Sequence, residues 1–302
     1  MSESPYHSKL GAWLCWPILV TALCLVLIVQ TRIDRERGTY AKIVDVLYIQ
    51  NGTNLRRLTL GNEGLLADIY WTRVVQYFGR HHLEPKSGEA VSRFKLLEPL
   101  LRITTDLDPH LLIAYRFGAI FLMAKVPEGA GEPEAAIRFL RKGIVANPDY
   151  WRLWQDLGFV YYWEYKDYKT AAKIFAAGSR MPGADYWMKA LAGTVAAKAG
   201  DIETSMLLWS EIRRQAETDA VRVTADAHLA ALKAEADIQK LNQLLANYRY
   251  EKSREPQALS DLVTGGYLPG VPVDPSGAPY VLGSDGRAAL GPNSQVNLRL
   301  LQ

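Results

Sequence analysis

The stretch from Pro148 to Pro182, PDYWRLWQDLGFVYYWEYKDYKTAAKIFAAGSRMP, decides the fold. Trp154, Leu157, Gly158 and Tyr161 recur at the spacing of one helical face. Asp167-Tyr168 then supplies a turn, and Ala171, Phe175 and Gly178 follow as small, large and small positions of a second helix that Pro182 stops. Gly158 and Ala171 lack bulk, so two antiparallel helices can approach closely where they cross. Trp154, Tyr161 and Phe175 would fill the space around that crossing.

The pattern returns at a 34-residue offset: Leu157 falls on Leu191, Gly158 on Ala192, Asp167 on Asp201, Ala171 on Ser205 and Phe175 on Trp209. Asp-Tyr-Trp occurs at 149–151 and again at 185–187. Upstream, Ala136, Leu140, Gly143 and Pro148 reproduce the second helix, with Gly118 and Phe121 in the first and about six extra residues in the intervening loop. A more degenerate unit runs from Leu65 to Pro109. Spacing and period resemble the tetratricopeptide (TPR) repeat, with one residue more than usual between the helices of the quoted unit. The expected fold class is all-α: a TPR-like helical solenoid behind one N-terminal transmembrane helix, followed by a small turn and β-hairpin module.

The chain has 302 residues, 49% of them hydrophobic and 22% charged, the composition of a folded protein. Thirty-five Lys and Arg against 32 Asp and Glu leave a net charge of +3, which argues against a nucleic-acid partner. Leu10 to Val29 carries no charge and is long enough to span the roughly 30 Å hydrocarbon core as a helix, with Trp13 and Trp16 near one end. No small-residue cleavage site follows it, so an uncleaved anchor is expected. This reading places the protein in the inner (cytoplasmic) membrane as a single-pass protein, its repeats extracytoplasmic. Cys15 and Cys24 fall on roughly opposite faces of that helix, so no disulfide is expected between them. The division is a tail at 1–9, the anchor at 10–30, a connector at 31–60, repeats at 61–218, a capping helix at 219–253 and a Pro/Gly-rich module at 254–302. Apolar runs around Asn51-Gly52 predict a small hairpin in the connector.

Leu60-Gly-Asn-Glu-Gly-Leu-Leu-Ala-Asp-Ile-Tyr-Trp-Thr-Arg-Val-Val-Gln-Tyr-Phe-Gly79 resembles the opening helix of a group of bacterial membrane-anchored TPR proteins. The likeness continues through 103–109 and 147–153 and implies architecture and envelope association. Near the other end, Pro272-Val-Asp-Pro-Ser-Gly-Ala-Pro-Tyr280 is similar to a segment of type II secretion pseudopilins. There Gly283-Ser-Asp-Gly286 can turn Tyr280 to Leu282 back against Arg287 to Leu290. The pseudopilin likeness offers Asp274 and Asp285 as cation ligands; the residues themselves favour turn-forming aspartates.

No phosphate-binding loop, dinucleotide fingerprint, paired-cysteine zinc motif or nucleophile elbow occurs, so neither enzyme activity nor a cofactor is expected. His81-His82 after Gly79 suits the end of a helix and lacks a third metal ligand. In TPR arrays the first helix of each pair lines a concave groove. That register offers Tyr115, Arg152, Gln155, Phe159, Tyr162, Trp163, Tyr186 and Lys189 as partner-binding residues. The expected function is a membrane-tethered scaffold of the bacterial envelope that binds a protein or peptide in this groove. The alternative is a stoichiometric structural subunit of a membrane complex, such as a pilus or secretion assembly.

Overall fold

The structure, a computed structural model, describes residues 20–32, 55–56, 59–83 and 94–301. The chain divides into two compact units, 1–107 and 108–302. In the first, helix α1 covers 20–32. It is followed by α2 (Glu63–Leu83) and α3 (Leu97–Leu107), which pack against each other. Ala67, Tyr70, Val74 and Tyr77 form the buried stripe of α2, at the three- and four-residue spacing of one helical face. Leu97, Leu100, Leu101, Ile103 and Leu107 are buried on α3, and the Leu96 amide donates to the Tyr77 hydroxyl at 3.3 Å. The sequence suggested that α2 ends at Gly79. It continues instead to Leu83, and Arg80, with His81 and His82 beside it, stands in the last turn, where the helix dipole favours a cation.

The membrane assignment is corrected. Among the described residues no helix is long and apolar enough to cross a membrane, so a single-pass membrane protein is not supported. Residues 10–19 of the expected anchor lie outside the described residues, as do Cys15 and the expected hairpin around Asn51-Gly52.

The second unit is a succession of helices: α4 (Leu112–Met123), α5 (Pro133–Ala146), α6 (Trp151–Val160), α7 (Tyr168–Gly178), α8 (Tyr186–Lys198), α9 (Ile202–Gln215) and α10 (Asp219–Lys252). Each packs on the next, and α4 also touches α6. The chain is predominantly helical, as expected. Asp167 and Asp201 cap α7 and α9 in the same way, each side chain accepting from the amide three residues on, at Thr170 and Thr204. Close approach explains the glycines at the crossings. A Cβ on Gly158 would lie 2.3 Å from Phe175 Cε1, and one on Gly193 would lie 2.9 Å from Trp209 Nε1.

Those two contacts revise the repeat register. A uniform 34-residue offset equates Gly158 with Ala192, whereas the structural counterpart of Gly158 is Gly193. Likewise Leu157 corresponds to buried Ala192 and not to half-buried Leu191. Helix α8 starts 35 positions after α6, although α9 starts 34 after α7. The extra residue is absorbed between α6 and α7, where Tyr161–Tyr165 forms one π-helical turn that ends on Lys166 at φ 54°. One residue was thus inserted without unwinding the helix, and every position before it was displaced by one.

Helix α10 is longer than the expected Ala225–Tyr250 stretch and begins on a Thr218 cap that accepts from the Val221 amide. Its first half packs on α9, with Ala225 and Leu232 against Trp209 and Ile212. Its second half carries the Pro/Gly-rich module, with Leu241, Leu245 and Tyr248 packed against Leu259, Leu262, Tyr280 and Ala288. The expected hairpin is present: β1 (Val281–Leu282) pairs antiparallel with β2 (Ala288–Ala289), Val281 opposite Ala289. Asp274 is a buried turn-former whose Oδ1 accepts from Ser276 N, Ser276 Oγ and Ala278 N. Asp285 accepts from the Arg287 amide.

At the α9–α10 contact His228 lies flat on Trp209, ring centroids 3.8 Å apart and planes 7° from parallel. Its Nδ1 is buried without a hydrogen-bond partner, and burial lowers its pKa below the ordinary value of 6.5. Above 6.5 both folded and unfolded chains hold this histidine neutral, and its stabilising contribution is complete. As pH falls below that value the unfolded chain takes up the proton first, so stability declines by at most about 1.4 kcal/mol per pH unit. The decline ends once pH passes the depressed folded value. Denaturant midpoints compared between pH 7.5 and 5 are expected to fall more for the native chain than for His228→Phe. An equal fall in both would rule this out.

A candidate interaction surface on the π-helical turn

Helix α6 and its π-turn gather aromatic side chains because the extra residue rotates Tyr161 to Tyr165 relative to the regular helix before them. No residue of the turn is buried. Neighbouring helices hold three of its four rings. The Tyr161 hydroxyl accepts from Arg141 Nη2 of α5 at 3.1 Å. The Tyr165 hydroxyl donates to Glu134 of α5, which pushes the Tyr165 pKa up to about 12. The Tyr162 hydroxyl accepts from Lys198 Nζ of α8 at 3.4 Å. Trp163, 51% exposed, stacks on Phe159 at 6.3 Å and meets the Tyr162 ring edge-on at 4.8 Å.

Two lysines complete the surface. Lys166, in the left-handed conformation that closes the turn, holds its ammonium 5.7 Å from the Trp163 ring centroid. Lys198 stands 5.5 Å from the Tyr162 centroid and 5.0 Å from that of Tyr168. Phe159 connects the patch to the core by meeting Phe175 edge-on at 5.2 Å. The result is a partly exposed aromatic platform bordered by cations. It offers large contact area on side chains that neighbours have already ordered.

The candidate residues do not all belong to it. Phe159, Tyr162 and Trp163 lie together. Arg152 is exposed near them in sequence and stands over the Trp151 ring at 4.8 Å; Gln155 is half-buried. Tyr115 is a correction: it is fully buried, because it sits where α4 crosses α5, packed on Phe139 and over Gly143. Tyr186 and Lys189 belong elsewhere, to a cavity of about 520 Å³ between the start of α8, the end of α9 and the start of α10. Lys189 is also engaged, paired with Glu211 at 3.2 Å and donating to Gln215 at 3.1 Å. The basic partner of Tyr162 is therefore Lys198, which a 34-residue count passes over and the corrected 35-residue count finds, equivalent to Trp163.

Arg116 of α4 pairs with Asp156 of α6 at 2.7 Å, a half-buried tie between alternate helices. Among the described residues no group of three or more His, Cys, Asp or Glu could hold a metal ion. His81 and His82 instead make local contacts, His81 Nδ1 with the Tyr77 carbonyl at 2.8 Å and His82 stacked on Phe78. Compared with known proteins, the chain matches no family model and no curated protein.

Proposed function

We propose that this protein is a TPR-like interaction scaffold that binds a protein or peptide segment on the aromatic platform of the π-turn. The observation that carries this reading is Trp163, half exposed between Phe159, Tyr162 and Lys166 while the neighbouring tyrosines are held by α5 and α8. A large apolar ring kept at the surface and already ordered costs little entropy on binding. Lys166 and Lys198 favour a partner segment that carries carboxylates, and their attraction weakens as salt rises. The repeat assignment draws on the matched Asp167 and Asp201 caps and on the Gly158–Phe175 and Gly193–Trp209 crossings.

The test uses the full chain. Its partner is recovered by crosslinking from position 163, purified and titrated against Trp163→Ala. Binding is expected to weaken by about 2 kcal/mol, roughly 30-fold, with an unchanged melting temperature. Tyr162 is a poorer choice, because it packs on the core cluster around Phe175 and its loss would reduce stability as well. A partner that stays at fixed stoichiometry and is indifferent to Trp163→Ala would instead make the protein a structural subunit.

A further inference from the structure

The segment 298–301 returns to the helical array as one 3-10 turn and packs on α10 and α8. Leu301 rests against the apolar cluster formed by Ala197, Trp209, Ile212, Ala225 and Leu232. Leu298 and Leu301, three residues apart, face a cavity of about 560 Å³ with Ala197, Lys198, Ile202 and Glu235. Leu298, Leu300 and Leu301 all stay half-buried, so the turn covers its seat without filling it.

Among the described residues nothing polar locks the turn down. The Arg299 amide donates to Asn297 Oδ1 at 3.1 Å and the Leu300 amide to the Asn297 carbonyl at 3.4 Å, both within the segment itself. Its last tie to the rest of the molecule is the Gln295 amide, which donates to Ser276 Oγ at 3.1 Å. Among the described residues no hydrogen bond or ion pair joins 296–301 to α8 or α10. A contact made of half-buried leucines, next to a cavity and without polar ties, belongs to the low-stability end of local opening.

We propose that the seat between α8 and α10 is a second docking site, distinct from the Trp163 platform, and that residues 298–301 occupy it in cis. Its external partner is a short helical turn presenting two leucine-class side chains three residues apart, the spacing by which amphipathic segments anchor in apolar grooves. Lys198 lies at the edge of both surfaces, lining the seat and hydrogen-bonded to Tyr162. The tethered turn competes with a free one at high effective concentration, so the apparent affinity of an external segment falls by the fraction of seats left open.

The test uses the full chain, the double variant Leu298→Ser/Leu301→Ser, and a labelled synthetic peptide of sequence SQVNLRLL, residues 294–301. The peptide is expected to bind the variant about tenfold more tightly than the native chain, as for a seat about nine-tenths closed by its own turn. The same peptide with both outer leucines changed to serine should bind neither. Equal affinity for the two chains, or no binding to either, would overturn the proposal. So would loss of the helical circular dichroism signal in the variant, since the turn would then be part of the core and not a displaceable occupant. Trp163→Ala leaves this peptide binding unchanged, which separates it from the reading above.

Discussion

Phe175→Ala is expected to lower the free energy of unfolding by about 3–5 kcal/mol, the largest single-residue effect in the helical array. Its side chain is fully buried, with the Gly158 backbone against one edge and Phe159 meeting it at 5.2 Å. Removal forfeits both the transfer of a phenyl ring from water and the contacts of the atoms that lined it. The site cannot collapse easily, because Gly158 carries no side chain to move into the void. The measurement is urea unfolding followed by circular dichroism. A loss below about 1 kcal/mol would show that α6 and α7 do not close on this ring.

Two helical glycines should respond to alanine with opposite signs. Gly158→Ala puts a methyl 2.3 Å from Phe175 Cε1, a distance that forces the ring or the helices to shift, and is expected to cost about 1–3 kcal/mol. Gly79→Ala lies within α2, where nothing stands within 4 Å of the added carbon, and is expected to stabilise its unit by about 0.5–1 kcal/mol through reduced backbone entropy of the unfolded chain. A double-mutant cycle separates the crossing contact from propensity. In a Phe175→Ala background the space for the Gly158 methyl exists, so Gly158→Ala should cost at least about 1 kcal/mol less there than in the native chain. Equal costs in the two backgrounds would mean that the ring and the glycine do not meet.

The amino-acid sequence alone determined what local chemistry decides. Helical periodicity, burial of Phe175 and Trp209, and the hairpin pairing Val281–Leu282 with Ala288–Ala289 all follow from side chains a few residues apart. Tertiary structure decided what depends on cumulative register or on a second element. The π-turn at Tyr161–Tyr165 adds a residue without altering the polar pattern, so counting by a constant period chose Ala192 over Gly193 and missed Lys198. Tyr115 and Trp163 are both aromatic residues on first helices, yet one is sealed under Gly143 and the other is half exposed on the turn. Lys189 is a free cation in sequence and an ion-paired one beside Glu211. Only the fold could seat residues 298–301 on α8 and α10, far earlier in the chain, because chain separation carries no trace of which apolar surfaces close on one another.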